Sequence, residues 1–245
     1  MAVTASERLD ARANVRDPSR DSRRKDPEED VTKLEFYFDY LSPYSYLAWT
    51  RIDDVCERHG LELEPKPVLL AGLLDESGQL GPAEIPAKRR WMGKDVLRYA
   101  AEYDLEVTFP NPHPFNPLAP LRVSVPEACG EERQVEVIDA IFRAAWRDGR
   151  VVSEPGELAQ AIDGVVDEPR ALLEKTQESE VKDALREATE AAAARDVFGV
   201  PTMRVGGEAF WGNDRFAMLE RYLEGEDEYD REAYEALLEG RMVER

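Results

Sequence analysis

"FDYLSPYSYLAWTRI", residues 38–52, changes period in its middle. Upstream, "KLEFYFDY" (33–40) alternates Leu34, Phe36 and Phe38 with Glu35, Tyr37 and Asp39, the period of two expected of a strand. Downstream, Pro43 suits the first turn of a helix, where its missing N–H costs nothing and its φ is already set. Ser42 stands immediately before it, in the N-cap region. The spacing predicts an amphipathic helix from Pro43 to about His59, stopped by Gly60. A strand feeding a helix through Ser-Pro-Tyr-Ser is the feature from which the remaining chain is read.

"LELEPKPVLL" (61–70) reads as a second strand, and Pro65 and Pro67 inside it predict a sheet edge. Strand, helix and strand make a βαβ unit. A largely helical stretch is expected from about 82 to 198. One helix carries Ile138, Ile141, Phe142 and Ala145, and another, 179–197, carries Val181, Leu185 and Ala188 on one face. The proline-rich "TFPNPHPFNPLAP" (108–120) is expected to be an irregular loop. "TMRVGG" and "EAFWG" (202–212) form a hairpin across Gly206-Gly207. A last helix opens at "NDRFAMLERYL", capped by Asn213 or Asp214. Residues 1–30, charged and poor in large apolar groups, are expected to be a disordered tail. The main unit is expected over 31–225, with a helical insertion at about 72–198 and a charged, partly helical tail over 226–245.

Composition narrows the function. The chain has 52 acidic and 32 basic residues, a net charge of −20, which repels nucleic acid and anionic membranes. Only 7 of the basic residues are lysine, a balance that fits adaptation to high internal salt or a merely acidic mesophilic protein. No apolar run approaches the roughly 20 residues of a membrane-spanning helix, and the N-terminus has no apolar core of a secretory signal, so the cytoplasm is the expected location. Cys56 and Cys129 form no Cys-x-x-Cys, and Cys56 falls on an apolar helix face, as a structural thiol does. His59 and His113 have no partners at zinc-ligand spacing, and no phosphate-binding glycine loop occurs, so no metal or nucleotide is expected.

The order βαβ, helical block, ββα is that of an α/β protein with the thioredoxin fold and an all-helical insertion, as in DsbA-like proteins. "FYFDYLSPYSYL" (36–47), "VFGVPTM" (197–203) and "FWGNDRFAMLE" (210–220) resemble, in matching order, the signature blocks of 2-hydroxychromene-2-carboxylate isomerases and of kappa-class glutathione transferases. "DESGQLGPAEIPAKRRWMGKDVLR" (75–98) is similar to a ligand loop of the same families. Where redox members of the fold carry Cys-x-x-Cys, this chain has Ser42 and Ser45. A helix N-terminus favours a thiolate, and a hydroxyl there can donate to a bound thiol's sulfur without forming a disulfide. By itself, without the flanking blocks, Ser42 reads first as a plain N-cap serine.

The resemblance implies a site for glutathione, or a related thiol such as γ-glutamylcysteine. Ser42 is its catalytic residue, with Pro43 and Tyr44 beside it. Val200 and Pro201, in "GVP", form the loop whose backbone pairs with an extended peptide, through a cis bond if the resemblance holds and a trans bond otherwise. Asn213 and Asp214 hold the γ-glutamyl end, and Gln79, Pro86 and Lys88 match positions near the glycyl end, with glutamine replacing the more usual asparagine. Lys88, Arg89 and Arg90 can attract an acid substrate, with Trp91 and Phe115 as aromatic lining or as core. The expected activity is a thiol-dependent isomerase of the 2-hydroxychromene-2-carboxylate type acting on an aromatic or conjugated small molecule, in a homodimer. A kappa-like transferase, or a non-redox thiol- or peptide-binding protein of the DsbA type, are the alternatives.

Overall fold

The structure, a computed structural model, describes residues 32–239; the tail expected at 1–30 lies outside the described residues, as do 240–245. β1 (Lys33–Phe38) leads through a short turn into α1 (Pro43–His59), which returns to β2 (Glu62–Pro67). Gly60, with φ 65°, ends α1 in the left-handed region that glycine enters freely, and its N–H reaches back to the last helical carbonyls. The sheet order is β2-β1-β3-β4, with β1 and β2 parallel and the other pairs antiparallel. β2 is therefore an edge strand, where the missing donors of Pro65 and Pro67 are tolerated. Gln134 covers that edge, donating to the Pro65 carbonyl at 3.4 Å and to the Ser124 carbonyl at 2.9 Å.

Between β2 and β3 the chain is helical: α2 (Leu70–Glu76), α3 (Pro86–Glu102), α4 (Leu118–Val123), α5 (Pro126–Cys129), α6 (Glu131–Phe142), α7 (Pro155–Ala161), α8 (Pro169–Lys175) and α9 (Ser179–Ala194). Ile138, Ile141, Phe142 and Ala145 are all fully buried, although α6 widens into a π turn at Arg143–Arg147 before Ala145 is reached. Phe142 is the wedge that binds this block to the sheet. Its ring lies 5.3 Å from Phe38, 4.7 Å from Tyr40 and 5.8 Å from Trp49. Burying such rings contributes about 2 to 3 kcal/mol each.

Two expectations change here. Alternation alone places Tyr37 with Glu35 and Asp39 on a wet face, yet Tyr37 is buried, packed with Val68, Leu73, Ala192, Val197 and Val200. β1 is a central strand covered on both faces, so α2 and α9 fill the side that alternation assigns to water. On α9 the buried stripe is Val181, Leu185, Thr189 and Ala192, with Ala188 only half-buried. Hydrogen bonding keeps Thr189 in that stripe: its hydroxyl donates to the Leu185 carbonyl at 2.8 Å and accepts the Leu69 N–H at 3.0 Å.

β3 (Thr202–Val205) and β4 (Glu208–Trp211) form the expected hairpin. Gly206 and Gly207, at φ 55° and 90°, supply the two left-handed residues of a tight turn. α10 (Phe216–Leu223) follows a 3-10 turn at Asn213–Arg215. Neither Asn213 nor Asp214 caps through its side chain. Asn213 is turned into the protein and Asp214 pairs with Arg215 at 3.3 Å. α11 (Arg231–Glu239) ends the described chain, its residues through Leu238 all exposed. No helix among the described residues is long and apolar enough to cross a membrane.

Candidate functional site

The turn from β1 into α1 is built on a carboxylate that the sequence pattern alone does not single out. Asp39 is fully buried; its Oδ1 accepts the Leu41 N–H at 2.9 Å and its Oδ2 accepts the Leu70 N–H at 2.8 Å. Burial pushes its carboxyl up to about 6, against the pull of those two N–H bonds. The Asp39 carbonyl also takes the Ser42 N–H at 3.0 Å. One residue thus fixes three backbone N–H groups around the turn.

The helical insertion grips the same turn from outside. Trp146 donates from Nε1 to the Tyr40 carbonyl at 2.8 Å, and the Tyr40 hydroxyl shares a 2.6 Å hydrogen bond with Ser124. Ser124 itself donates to the Pro120 carbonyl at 2.9 Å, so the proton between the two hydroxyls comes from Tyr40. His113 meets the Leu41 carbonyl through Nε2 at 2.9 Å. A carbonyl only accepts, so that nitrogen carries the proton. Burial lowers the imidazole's pKa, and Arg89 adds to the effect while the Leu41 bond opposes it. The proline-rich loop is irregular as far as Pro117 and ordered by this contact, but the expected loop of 108–120 ends early, because its last three residues, Leu118 to Pro120, open α4.

On this base stands Ser42, nearly buried, the N-cap of α1. Its Oγ accepts the Ser45 N–H at 3.1 Å and donates, at a long 3.5 Å, to the Val200 carbonyl. The Val200-Pro201 peptide is cis. Ser42, Pro43, Val200 and Pro201 are thus brought together as expected. Ser45 is fully buried one turn further in, and its hydroxyl has no partner among the described residues. Tyr44 turns away: its hydroxyl donates to Asp95 of α3 at 2.9 Å, and burial together with that carboxylate drives its pKa far upward.

The 3-10 turn packs beside α1 and brings Asn213 to a second polar cluster. Arg51 of α1 lies between the rings of Tyr103 and Phe216, 4.4 and 4.3 Å from their centroids, and donates to the Tyr103 hydroxyl at 2.8 Å. Asn213 reaches the same hydroxyl through Nδ2 at 3.4 Å, leaving its buried Oδ1 without a partner among the described residues. Asp214 is half-exposed beside it. Gln79, Pro86 and Lys88 are exposed on the segment that opens α3, and among the described residues no hydrogen bond or ion pair ties their side chains to the Ser42 turn. Trp91 is 61% exposed, whereas Phe115 belongs to the core.

The family model of the DSBA-like thioredoxin domain matches residues 33–224. The chain belongs to that family. It is 31% identical over 192 residues to the 2-hydroxychromene-2-carboxylate isomerase of Sphingobium xenophagum, covering 78% of this chain and 97% of that one. It is 28% identical over 206 residues to glutathione S-transferase kappa 1 of Rattus norvegicus, covering 79% and 91%. Among solved structures, a 2-hydroxychromene-2-carboxylate isomerase superposes with a TM-score of 0.72 at 28% identity, over 78% of this chain and 94% of that one. The thioredoxin fold with its helical insertion agrees with these likenesses, and both groups of relatives are named as enzymes.

The residues missed from the sequence are Asp39, His113, Arg51 and Tyr103. Asp39 is hidden because it occupies a polar position of the alternation. The other three are hidden because they join segments that only the fold brings together.

Proposed function

We propose that the protein is a thiol-dependent isomerase of the 2-hydroxychromene-2-carboxylate type, using glutathione or a related γ-glutamyl thiol on an aromatic or conjugated small molecule. The observation that carries the reading is Ser42: a hydroxyl, not a thiol, at the N-cap of α1, opposite the Val200 carbonyl. The residues present fit such a thiol. Pro43 has no N–H and the Ser45 N–H is taken by Ser42, which leaves the Tyr44 N–H, without a partner among the described residues, and the positive end of the helix for an incoming anion. The Asn213 Oδ1, buried and unpartnered among the described residues, marks polar capacity unused by the protein itself.

When bound, the thiol supplies a nucleophile that adds to the conjugated substrate and is later expelled. Ser42 donates to sulfur and favours its ionised form; it does not attack. The Val200 backbone pairs with the cysteinyl part, while Asn213 and Asp214 hold the γ-glutamyl end. Gln79, Pro86 and Lys88 are assigned to a glycyl end, and their exposure leaves room for a thiol without glycine. Lys88, Arg89 and Arg90 draw a substrate carboxylate towards the site. The enzyme is placed in the cytoplasm, as a homodimer adapted to salt. A kappa-like transferase is the second reading, favoured by the Rattus norvegicus relative, and differs in retaining the adduct as product.

Calorimetry with glutathione, γ-glutamylcysteine and cysteine on wild type and Ser42→Ala tests the core of the reading. A γ-glutamyl thiol binds, and its pKa falls on binding by about 1 to 2 units more in wild type than in the variant, the effect of one hydrogen bond to a charged group. No binding of any thiol to either protein overturns it.

A further inference from the structure

Arg51 is a cation in a chain with 52 acidic residues, yet no carboxylate pairs with it among the described residues. Two rings hold it instead, those of Tyr103 and Phe216, and its Nη1 donates to the Tyr103 hydroxyl at 2.8 Å. Stacking fixes the plane of the guanidinium, so it acts as a rigid donor rather than a swinging surface charge.

The proton on Tyr103 then decides how Asn213 is turned. The Asn213 Nδ2 lies 3.4 Å from the same hydroxyl oxygen, so two donors face it while the Tyr103 proton has no acceptor among the described residues. A half turn of the amide exchanges its ends. Oδ1 then accepts the Tyr103 proton, and Nδ2 takes the buried position in which Oδ1 has no partner. One polar group is left over instead of two, so the cluster favours the turned amide. Arg51 donates to Tyr103, Tyr103 donates to Asn213, and the series ends on an amide N–H still in want of an acceptor. Each donor polarises the next, which makes that end more positive than an isolated amide.

This end lies beside the thiol site. Gly212 precedes Asn213, and its N–H donates at 2.9 Å to the carbonyl of Pro201, in the loop whose Val200 carbonyl faces Ser42. Asp214 follows, half-exposed, with Oδ1 so near Gly212 that a Cβ there would stand 2.5 Å from it. A donor and a carboxylate on consecutive residues match the two charges of an α-amino acid, its anion to Asn213 and its cation to Asp214.

We propose, on the basis of the thiol reading above, that Arg51 and Tyr103 are positioning residues. Acting through Asn213, they make the site selective for the α-carboxylate of the γ-glutamyl group.

The test is calorimetry on the full chain with γ-glutamylcysteine and with 4-aminobutanoylcysteine, the same thiol without its α-carboxylate. Wild type is expected to favour the first by about tenfold or more, the worth of one hydrogen bond to a charged group. Tyr103→Phe keeps a ring against Arg51 and removes only the relay. It should cut that preference by about fivefold or more, while affinity for 4-aminobutanoylcysteine changes by less than about twofold. Arg51→Met, uncharged but able to fill the space between the rings, should act likewise, and Arg51→Lys should recover part of the preference. Asn213→Asp should abolish it, because a second carboxylate oxygen then faces the ligand's anion. A merely structural role would weaken both thiols alike and leave their ratio unchanged, and that result overturns the inference. So does tighter binding of both thiols by Asn213→Asp, which would mean that an ammonium faces Oδ1. If wild type binds the two thiols equally, the inference falls and the thiol reading stands; if it binds neither, both fall.

Discussion

Replacing Asp39 by asparagine should change the pH dependence of stability in a direction that burial alone dictates. The native carboxyl titrates at about 6 against an ordinary 3.8. Between those values the native state holds more proton than the unfolded chain, so the residue's contribution to stability is fullest below about pH 4 and falls as pH rises to about 6. At about 1.36 kcal/mol per pH unit, the loss across that window is about 3 kcal/mol. The substituted amide keeps the shape of the side chain and one acceptor for the Leu41 and Leu70 N–H groups, but it does not titrate. Urea unfolding of both proteins from pH 4 to pH 7 isolates the effect, because the titration of the remaining acidic residues cancels in the difference. Wild type minus Asp39→Asn should decline by about 3 kcal/mol over the window and then level off. A difference that is flat, or that rises with pH, would mean that the two N–H bonds balance or outweigh burial, and would refute the reasoning.

Two further outcomes follow from the same region and its surroundings. Trp146→Phe removes the donor to the Tyr40 carbonyl and part of a fully buried ring, and should cost about 2 to 4 kcal/mol in denaturant unfolding, with thiol affinity falling as the turn loosens. Burial pushes the Cys56 thiol up to about 12 and that of Cys129 up to about 11, so neither should react with a disulfide reagent at pH 8 until the protein unfolds. Thiol release measured with and without urea checks this.

Much of the architecture can be read from local chemistry. The switch of period at Ser42-Pro43, the glycine stops, the prolines of β2 and the Gly206-Gly207 turn each act over a few residues, where propensity and sterics decide. Ser42 facing the Val200-Pro201 loop is legible only through resemblance, since 158 residues separate them. Alternation misplaces Tyr37 because it reports one strand and says nothing of what covers it. Asn213 reads as a cap because its position at a helix start is local, whereas the Tyr103 hydroxyl that draws it inward follows the end of α3. Asp39 escapes notice for a similar reason. A carboxylate at a polar position looks solvated until two backbone N–H groups, one of them Leu70, converge on it.

The grip of Trp146, Ser124 and His113 on residues 40–41 has a consequence for protein engineering. A chimaera that exchanges the block between β2 and β3 for that of another thioredoxin-like protein would discard the donors that hold the Tyr40 and Leu41 carbonyls. The sheet could fold around such a graft and still present a misaimed Ser42. The helical block is part of the jig that sets the reactive turn, so the smallest transplantable unit contains both.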